Sequence, residues 1–186
     1  MGFNTTKIMI ALNFTPFPEL VTENLLLRSL QPTDANEVFA LRSDDNINKY
    51  IERKKATSIE DAYQFIEMIT KNVSNNETLL WAIELKQTHA FAGTVLLWNI
   101  NKEKDEIELG YELLPAYHGK GIMQEAIETV LRFAFDSLKF SSVVAIAHKE
   151  NIPSLKVLQR NNFELKNEME DNMLEYILHV KNFNKV

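Results

Sequence analysis

The sequence predicts an α+β fold, with a mixed, mainly antiparallel central sheet of about seven strands flanked by helices. Three observations carry it. Strand-like and helix-like segments follow one another in the order β, α, α, β, β, β, α, β, α, β, β, which suits helices layered on a mainly antiparallel sheet. The stretch from Thr78 to Leu113 is rich in β-branched and aromatic residues, broken only by short polar segments. From Met123 to Leu138 the apolar residues recur every three or four positions, which marks one helix stripe.

Each element has its own local reason. Thr15-Pro16-Phe17-Pro18 interrupts regular structure near the start, so residues 1–20 read as a flexible leader and 21–183 as a single domain. Leu25 to Arg28 is a strand. Pro32-Thr33-Asp34 then supplies capping chemistry for a helix through Val38 and Leu41. Ser58-Ile59-Glu60-Asp61 opens a second helix, with Ala62, Phe65, Ile66 and Ile69 at helical spacing. Leu79 to Leu85 and Ala92 to Ile100 form a hairpin around the polar segment Lys86 to His89, and Trp81 and Trp98 are expected to pack in the sheet. In Glu106 to Leu113 the apolar residues 107, 109, 111 and 113 share one face, and the carboxylates 106, 108 and 112 share the other. Pro115 ends that strand. After the helix from Met123 come a short buried strand, Val143 to Ala147, a helix from Pro153 to Asn161, and a closing hairpin of Phe163 to Met169 with Leu174 to Val180.

Composition narrows the function. With 186 residues the chain suits one domain, and 45% hydrophobic residues are enough to build a packed core. A net charge of -6 argues against a phosphate-backbone binder, so no direct nucleic-acid partner is expected. The absence of cysteine excludes disulfides, thiolate-zinc sites and a Cys nucleophile. It suits a reducing, cytoplasmic setting. No apolar run reaches the length of a membrane span. Met1-Gly2-Phe3-Asn4-Thr5-Thr6 fits the loose N-myristoylation template, but no basic patch follows to supply a second anchor, and a plain leader is expected. His89, His118, His148 and His179 show no metal-ligand spacing, so no metal is expected.

The segment with the most chemistry is Tyr117-His118-Gly119-Lys120-Gly121-Ile122-Met123-Gln124-Glu125-Ala126, between a strand and a helix start. A glycine-rich turn there lets backbone approach a ligand and aims N–H groups and the helix dipole at an anion such as a pyrophosphate. Two of the chain's five glycines sit in this turn. No Ser or Thr follows Gly119-Lys120 as a P-loop requires, and the third small residue of the dinucleotide fingerprint is absent.

Here the chain resembles the GNAT superfamily of acyl-coenzyme A dependent N-acetyltransferases. His118-Gly119-Lys120-Gly121-Ile122-Met123 matches the family's Arg/Gln-x-x-Gly-x-Gly/Ala loop, with His118 in place of Arg/Gln and Met123 in place of Gly/Ala. Both departures are similar to the RimJ/RimL-like branch, whose members acetylate protein N-termini. Two further blocks resemble that branch: Glu108-Leu109-Gly110-Tyr111, and Asn151-Ile152-Pro153-Ser154 through Val157-Leu158 to Asn162-Phe163. Asn24 stands in the opening strand where Arg is common. Asn162 replaces a helix-ending Gly and is expected in left-handed backbone, which Asn tolerates best among the other residues.

The resemblance implies a GNAT fold and assigns roles. The strand end at Leu113 and Leu114 would pair with the pantetheine arm of acetyl-coenzyme A. His118, Gly119, Lys120, Gly121, Ile122, Met123 and Gln124 would hold its pyrophosphate, and Asn151 and Ser154 would flank the far side of the arm. Asn151 and Ser154 also read as helix-cap residues. Glu108 would be the catalytic base, acting through a water, with Glu106 and Glu112 as its controls. Ser154 would return the proton to the thiolate; Tyr111 could do so too, but its place on the apolar face reads as core. A backbone N–H near Leu113 would hold the oxyanion.

The expected reaction is acetyl transfer to a primary amine, first of all a ribosomal or other protein N-terminus. An α-amine of pKa ~8 costs ~1.4 kcal/mol to neutralise at pH 7, whereas a lysine amine costs ~4.6 kcal/mol. The alternatives are a small-molecule amine such as a polyamine or antibiotic, or an acyl-coenzyme A binding module without turnover. A monomer or homodimer is expected, with no membrane partner.

Overall fold

The computed structural model describes residues 12–183. The N-myristoylation pattern, Met1 to Thr6, lies outside the described residues. The described residues form one eight-stranded sheet in the order β1-β2-β3-β4-β5-β6-β8-β7. Its strands are β1 Leu20–Val21, β2 Leu25–Ser29, β3 Leu79–Leu85, β4 Phe91–Asn101, β5 Glu106–Leu113, β6 Ser142–His148, β7 Glu164–Glu168 and β8 Met173–His179. All neighbours are antiparallel except β5 and β6. A parallel pair needs a crossover, and the segment with the apolar helix stripe provides it.

Strand β1 is the one strand beyond the seven expected. Its pairing Leu20↔Leu27 and Val21↔Leu26 closes the β2 edge. Residues assigned to the leader are packed as well: Phe14 is 1% exposed, and the Trp81 indole donates to Pro18 O at 2.6 Å. The packed chain therefore begins well ahead of residue 21.

The helices are α1 Ala35–Ser43, α2 Ile59–Ser74, α3 Ile122–Arg132, α4 Ile152–Arg160 and a short α5, Val180–Phe183. Alternation in the strands divides the core in two. Leu79, Trp81 and Ile83 of β3, with Ile107 and Leu109 of β5, pack with Ala126, Ile127, Val130 and Leu131 of α3. Leu80 and Ala82 pack on the opposite face with Val38 and Leu41 of α1 and Ile66 and Ile69 of α2. Helix α2 starts where its sequence directs, because Ser58 Oγ accepts from Asp61 N while Asp61 Oδ2 accepts from Ser58 N at 3.1 Å. Asn162, after α4, has φ +60°, the left-handed backbone expected of it. Among the described residues no helix is long and apolar enough to cross a membrane.

Candidate active site

The glycine loop joins β5 to α3 through a 3-10 turn, Pro115–Tyr117. Gly119 and Gly121 have φ of +72° and +78°, and a Cβ at either would meet nothing within 4 Å. Gly121 is the N-cap of α3 and offers no capping side chain. The first bond of the helix runs from Glu125 N to Gly121 O at 3.1 Å, so the N–H groups of Ile122, Met123 and Gln124 precede the hydrogen-bond ladder. They present the positive end of the dipole.

The side chains of this loop are largely committed elsewhere. Ile122 and Met123 are buried, and Gln124 exchanges amide bonds with Asn161 at 3.0 and 3.1 Å. His118 Nε2 lies 2.9 Å from Leu113 O, and the Lys120 ammonium sits 5.6 Å from the Tyr117 ring centre. What the segment offers a ligand is mainly backbone. Glu125 fixes the helix that carries it, accepting from Thr22 Oγ1 at 2.5 Å, Asn24 N at 3.0 Å and Asn24 Nδ2 at 3.1 Å.

Strands β5 and β6 pair only over Glu106↔Ser142, Ile107↔Val143 and Glu108↔Val144. On the other side of β5 the ladder to β4 continues to Gly93↔Leu113, and Leu114 N donates to Ala92 O at 2.9 Å. Antiparallel alternation then turns the main-chain groups of Tyr111 and Leu113 away from β4 and toward the β6 side. Beyond Glu108, β5 therefore presents polar backbone to an opening between two strands. An extended, amide-bearing ligand arm can pair with it as an added strand would.

The three carboxylates of β5 have separate fates. Glu106 accepts from Lys166 Nζ at 3.2 Å. Glu112 forms a bidentate pair with Arg53 at 2.8 and 2.5 Å. Glu108, 7% exposed, has no cation within ion-pair distance among the described residues, and Asn99 Nδ2 donates to its Oε2 at 2.9 Å. Burial pushes its carboxyl above the ordinary range, and the like charge of Glu175 adds to that, while the Asn99 and Trp98 donors act in the opposite sense.

A raised carboxyl pKa in the folded chain means stability is lost as pH climbs from the unfolded value through the folded one. Glu108→Gln should therefore melt at a higher Tm than the parent at pH 7. The difference should shrink as the pH falls toward 4 and below, where both states of the parent become protonated. Calorimetric melts at the two pH values check this, and a lower Tm at pH 7 contradicts it.

Opposite the carboxylates, Tyr111 is half-buried against the core, and its hydroxyl lies 2.8 Å from Ser154 Oγ. Burial pushes the Tyr111 phenol up to about 12. It stays protonated at neutral pH and can donate. Ser154 N donates to Asn151 Oδ1 at 3.3 Å, so Asn151 caps α4 and turns Ser154 toward Tyr111. Tyr111 is thus both core and hydrogen-bonding partner of Ser154.

A cavity of about 420 Å³ opens between the segment after α1, the end of β6 and the β7–β8 turn. The Tyr50 ring stacks on His148 with centroids 5.1 Å apart, and Ile146 and Met169 add apolar wall. Glu52 and Asp171 bring negative charge. Ile146 follows Val144, the β6 partner of Glu108, by two residues on the same face, a rise of about 6.6 Å. The cavity therefore lies on the Glu108 side of the sheet. Sequence reasoning missed it, since its walls come from segments distant in the chain. Trp98, expected to pack in the sheet, is 43% exposed on the Glu108 face. Beyond it the β4–β5 register shifts, with pairing resumed at Asn101↔Glu106.

Comparison with known proteins supplies the family. An acetyltransferase (GNAT) domain profile matches residues 24–164. The chain is 30% identical to the uncharacterised N-acetyltransferase p20 of Bacillus licheniformis, over 78% of this chain and 82% of that protein. RimL, a ribosomal protein α-N-acetyltransferase solved with coenzyme A, superposes with a TM-score of 0.79 at 17% identity, covering 89% of this chain and 99% of that one. The microcin C7 self-immunity acetyltransferase MccE, solved with acetyl-CoA and AMP, gives a TM-score of 0.73 at 23% identity over 86% of this chain and 94% of that one. The profile, the relative and the shared fold agree with the glycine loop and the parted strands: this chain belongs to the GNAT family of N-acetyltransferases.

Proposed function

We propose that the protein transfers an acetyl group from acetyl-coenzyme A to the α-amine of a protein or peptide N-terminus in a reducing, cytoplasmic setting. The observation that carries the reading is Glu108. Among the described residues it is the one carboxylate of β5 left without a cation, and it lies where β5 and β6 part, beside a cavity whose wall carries Glu52, Glu170 and Asp171 against Lys49. An ion-paired carboxylate is a poor base, whereas a buried one held by neutral donors keeps its affinity for a proton.

The residues present fit the cosubstrate. Left-handed Gly119 and Gly121 leave room above the loop, and the start of α3 has no capping side chain of its own. The main-chain N–H groups from Gly119 to Gln124 would hold the pyrophosphate, and Leu113 and Leu114 would carry the strand end that pairs with the pantetheine arm. Acetyl-coenzyme A supplies an acetyl group activated as a thioester. Glu108 would take a proton from the ammonium through a water, so that the neutral amine nitrogen can displace the thiolate from the acetyl carbon. The Leu113 N–H donates to the carbonyl oxygen as it gains negative charge. Ser154, backed by Tyr111, would give its proton to the departing thiolate and regain one from the amine nitrogen, which sheds its second proton as the amide forms.

The acceptor assignment draws support from the acids at the cavity, the low cost of neutralising an α-amine, and the likeness to RimL. A screen of thiol release over N-terminal peptides and small amines tests it. A basic N-terminal peptide should turn over, and its kcat/KM should fall as salt rises from low to moderate ionic strength. Turnover of a small monoamine with an inert peptide at every salt concentration would assign a small-molecule acceptor. Cofactor binding with no thiol release from any amine would make the protein a binding module.

A further inference from the structure

We propose that Asn99 is a positioning residue for Glu108, aimed at the carboxylate by a bulge in β4. The inference rests on Glu108 being the base and deepens that reading. Strands β4 and β5 pair residue for residue from Gly93↔Leu113 to Trp98↔Glu108, and pairing resumes only at Asn101↔Glu106. Between these points Asn99 and Ile100 stand opposite Ile107 alone, two residues against one. In an unbroken ladder Asn99 would share the face of buried Leu97 and drive an amide into the apolar core. The bulge sends it to the Glu108 face instead. Asn99 takes φ +46°, a conformation Asn tolerates better than other residues with a Cβ, and its Nδ2 reaches Glu108 Oε2 at 2.9 Å.

The chemistry of the donor matters as much as its aim. A Lys or Arg at this place would keep the carboxylate ionised but weaken it as a base; cations of that kind pair with Glu106 and Glu112. An apolar residue would leave the carboxylate free to turn and to protonate. A neutral amide fixes one oxygen and leaves the group basic. The other groups around Glu108 are consistent with this balance. Trp98 on β4 is a second neutral donor, and Val144 on β6 is apolar. Glu175 on β8 repels, but Lys166 on β7 binds both Glu175 at 3.1 Å and Glu106 at 3.2 Å. The nearby cation is thereby spent on the neighbours.

The test uses Asn99→Gly, which keeps the positive φ and removes the amide, and Asn99→Asp, which keeps the shape and replaces the donor with a charge. Carbon-detected NMR titration of the Glu side-chain carboxyls in the full chain reads the Glu108 midpoint without cofactor or acceptor. The midpoint should rise by about one pH unit in the Gly variant, because a hydrogen bond that favours the charged form is lost. It should rise further in the Asp variant. In thiol release with an N-terminal peptide, the acid limb of kcat/KM should move up with it, giving about a ten-fold loss at pH values below the parent's midpoint and recovery at high pH. The calorimetric affinity for acetyl-coenzyme A should not change. An unmoved midpoint in both variants overturns the proposal. Glu108→Gln run alongside separates the two ideas: full activity in that variant sinks the base assignment, whereas loss there with unaltered Asn99 variants sinks the positioning role alone.

Discussion

Glu108→Gln is expected to lower turnover at neutral pH by about 100-fold or more, with partial recovery at high pH, where the amine deprotonates unaided. The substitution keeps the size of the side chain and an oxygen for Asn99 to donate to, so geometry is retained and basicity alone is removed. Because the carboxyl of Glu108 is raised by burial, the acid limb of the parent's kcat/KM should lie above the ordinary carboxylate range. Activity should rise with pH through that midpoint, since only the ionised form would accept a proton. Glu106→Gln and Glu112→Gln are the controls. The first leaves Lys166 with Glu175 alone and the second takes the carboxylate partner from Arg53, so each is expected to cost stability while leaving the position of the acid limb in place. A pH–rate profile for the three variants decides among them. If Glu106→Gln abolishes turnover and Glu108→Gln does not, the base has been placed on the wrong residue.

Those three carboxylates also mark where sequence reading stops. All lie at even positions of one strand, and alternation alone makes them equivalent solvent-facing acids. What separates them is long-range: Arg53 lies 59 positions from Glu112, and Lys166 lies 60 from Glu106. No local pattern encodes such pairings. The same limit explains β1, since a two-residue strand has no period to detect and exists only because Leu20 and Val21 find the edge of β2. It also explains Trp98 and Asn99, whose aim is set by a bulge that a propensity reading passes over as continuous strand.

Features with short-range causes were legible. β3 has the bounds its β-branched and aromatic run implies, and α2 begins at Ser58 because the capping partners are three residues apart. The glycine loop was recognisable for the same reason, since its special backbone is carried by residues that announce it. The cavity on the Glu108 side of the sheet, assembled from segments around Tyr50, His148 and Asp171, was not.

Gly121→Val should weaken acetyl-coenzyme A by about 10- to 100-fold in calorimetry, with a much smaller effect on the fold. Gly121 has φ +78°, and a Cβ there meets nothing within 4 Å of the chain's own atoms. The side chain would instead fill the space through which a pyrophosphate approaches the N–H groups of Ile122, Met123 and Gln124. Loss of one or two charge-assisted hydrogen bonds accounts for the size of the effect. Valine in left-handed backbone also costs about 1–2 kcal/mol, so some loss of Tm is expected on that ground alone. Gly121→Asn separates the two causes, because Asn accepts the backbone while still placing a side chain above the loop. It should bind the cofactor poorly and melt close to the parent. Gly93→Ala gives the opposite pattern: its Cβ would lie 2.2 Å from Glu112 O, so the β4–β5 ladder must give way and stability falls first. Parent-like affinity in both Gly121 variants would place the pyrophosphate away from the start of α3.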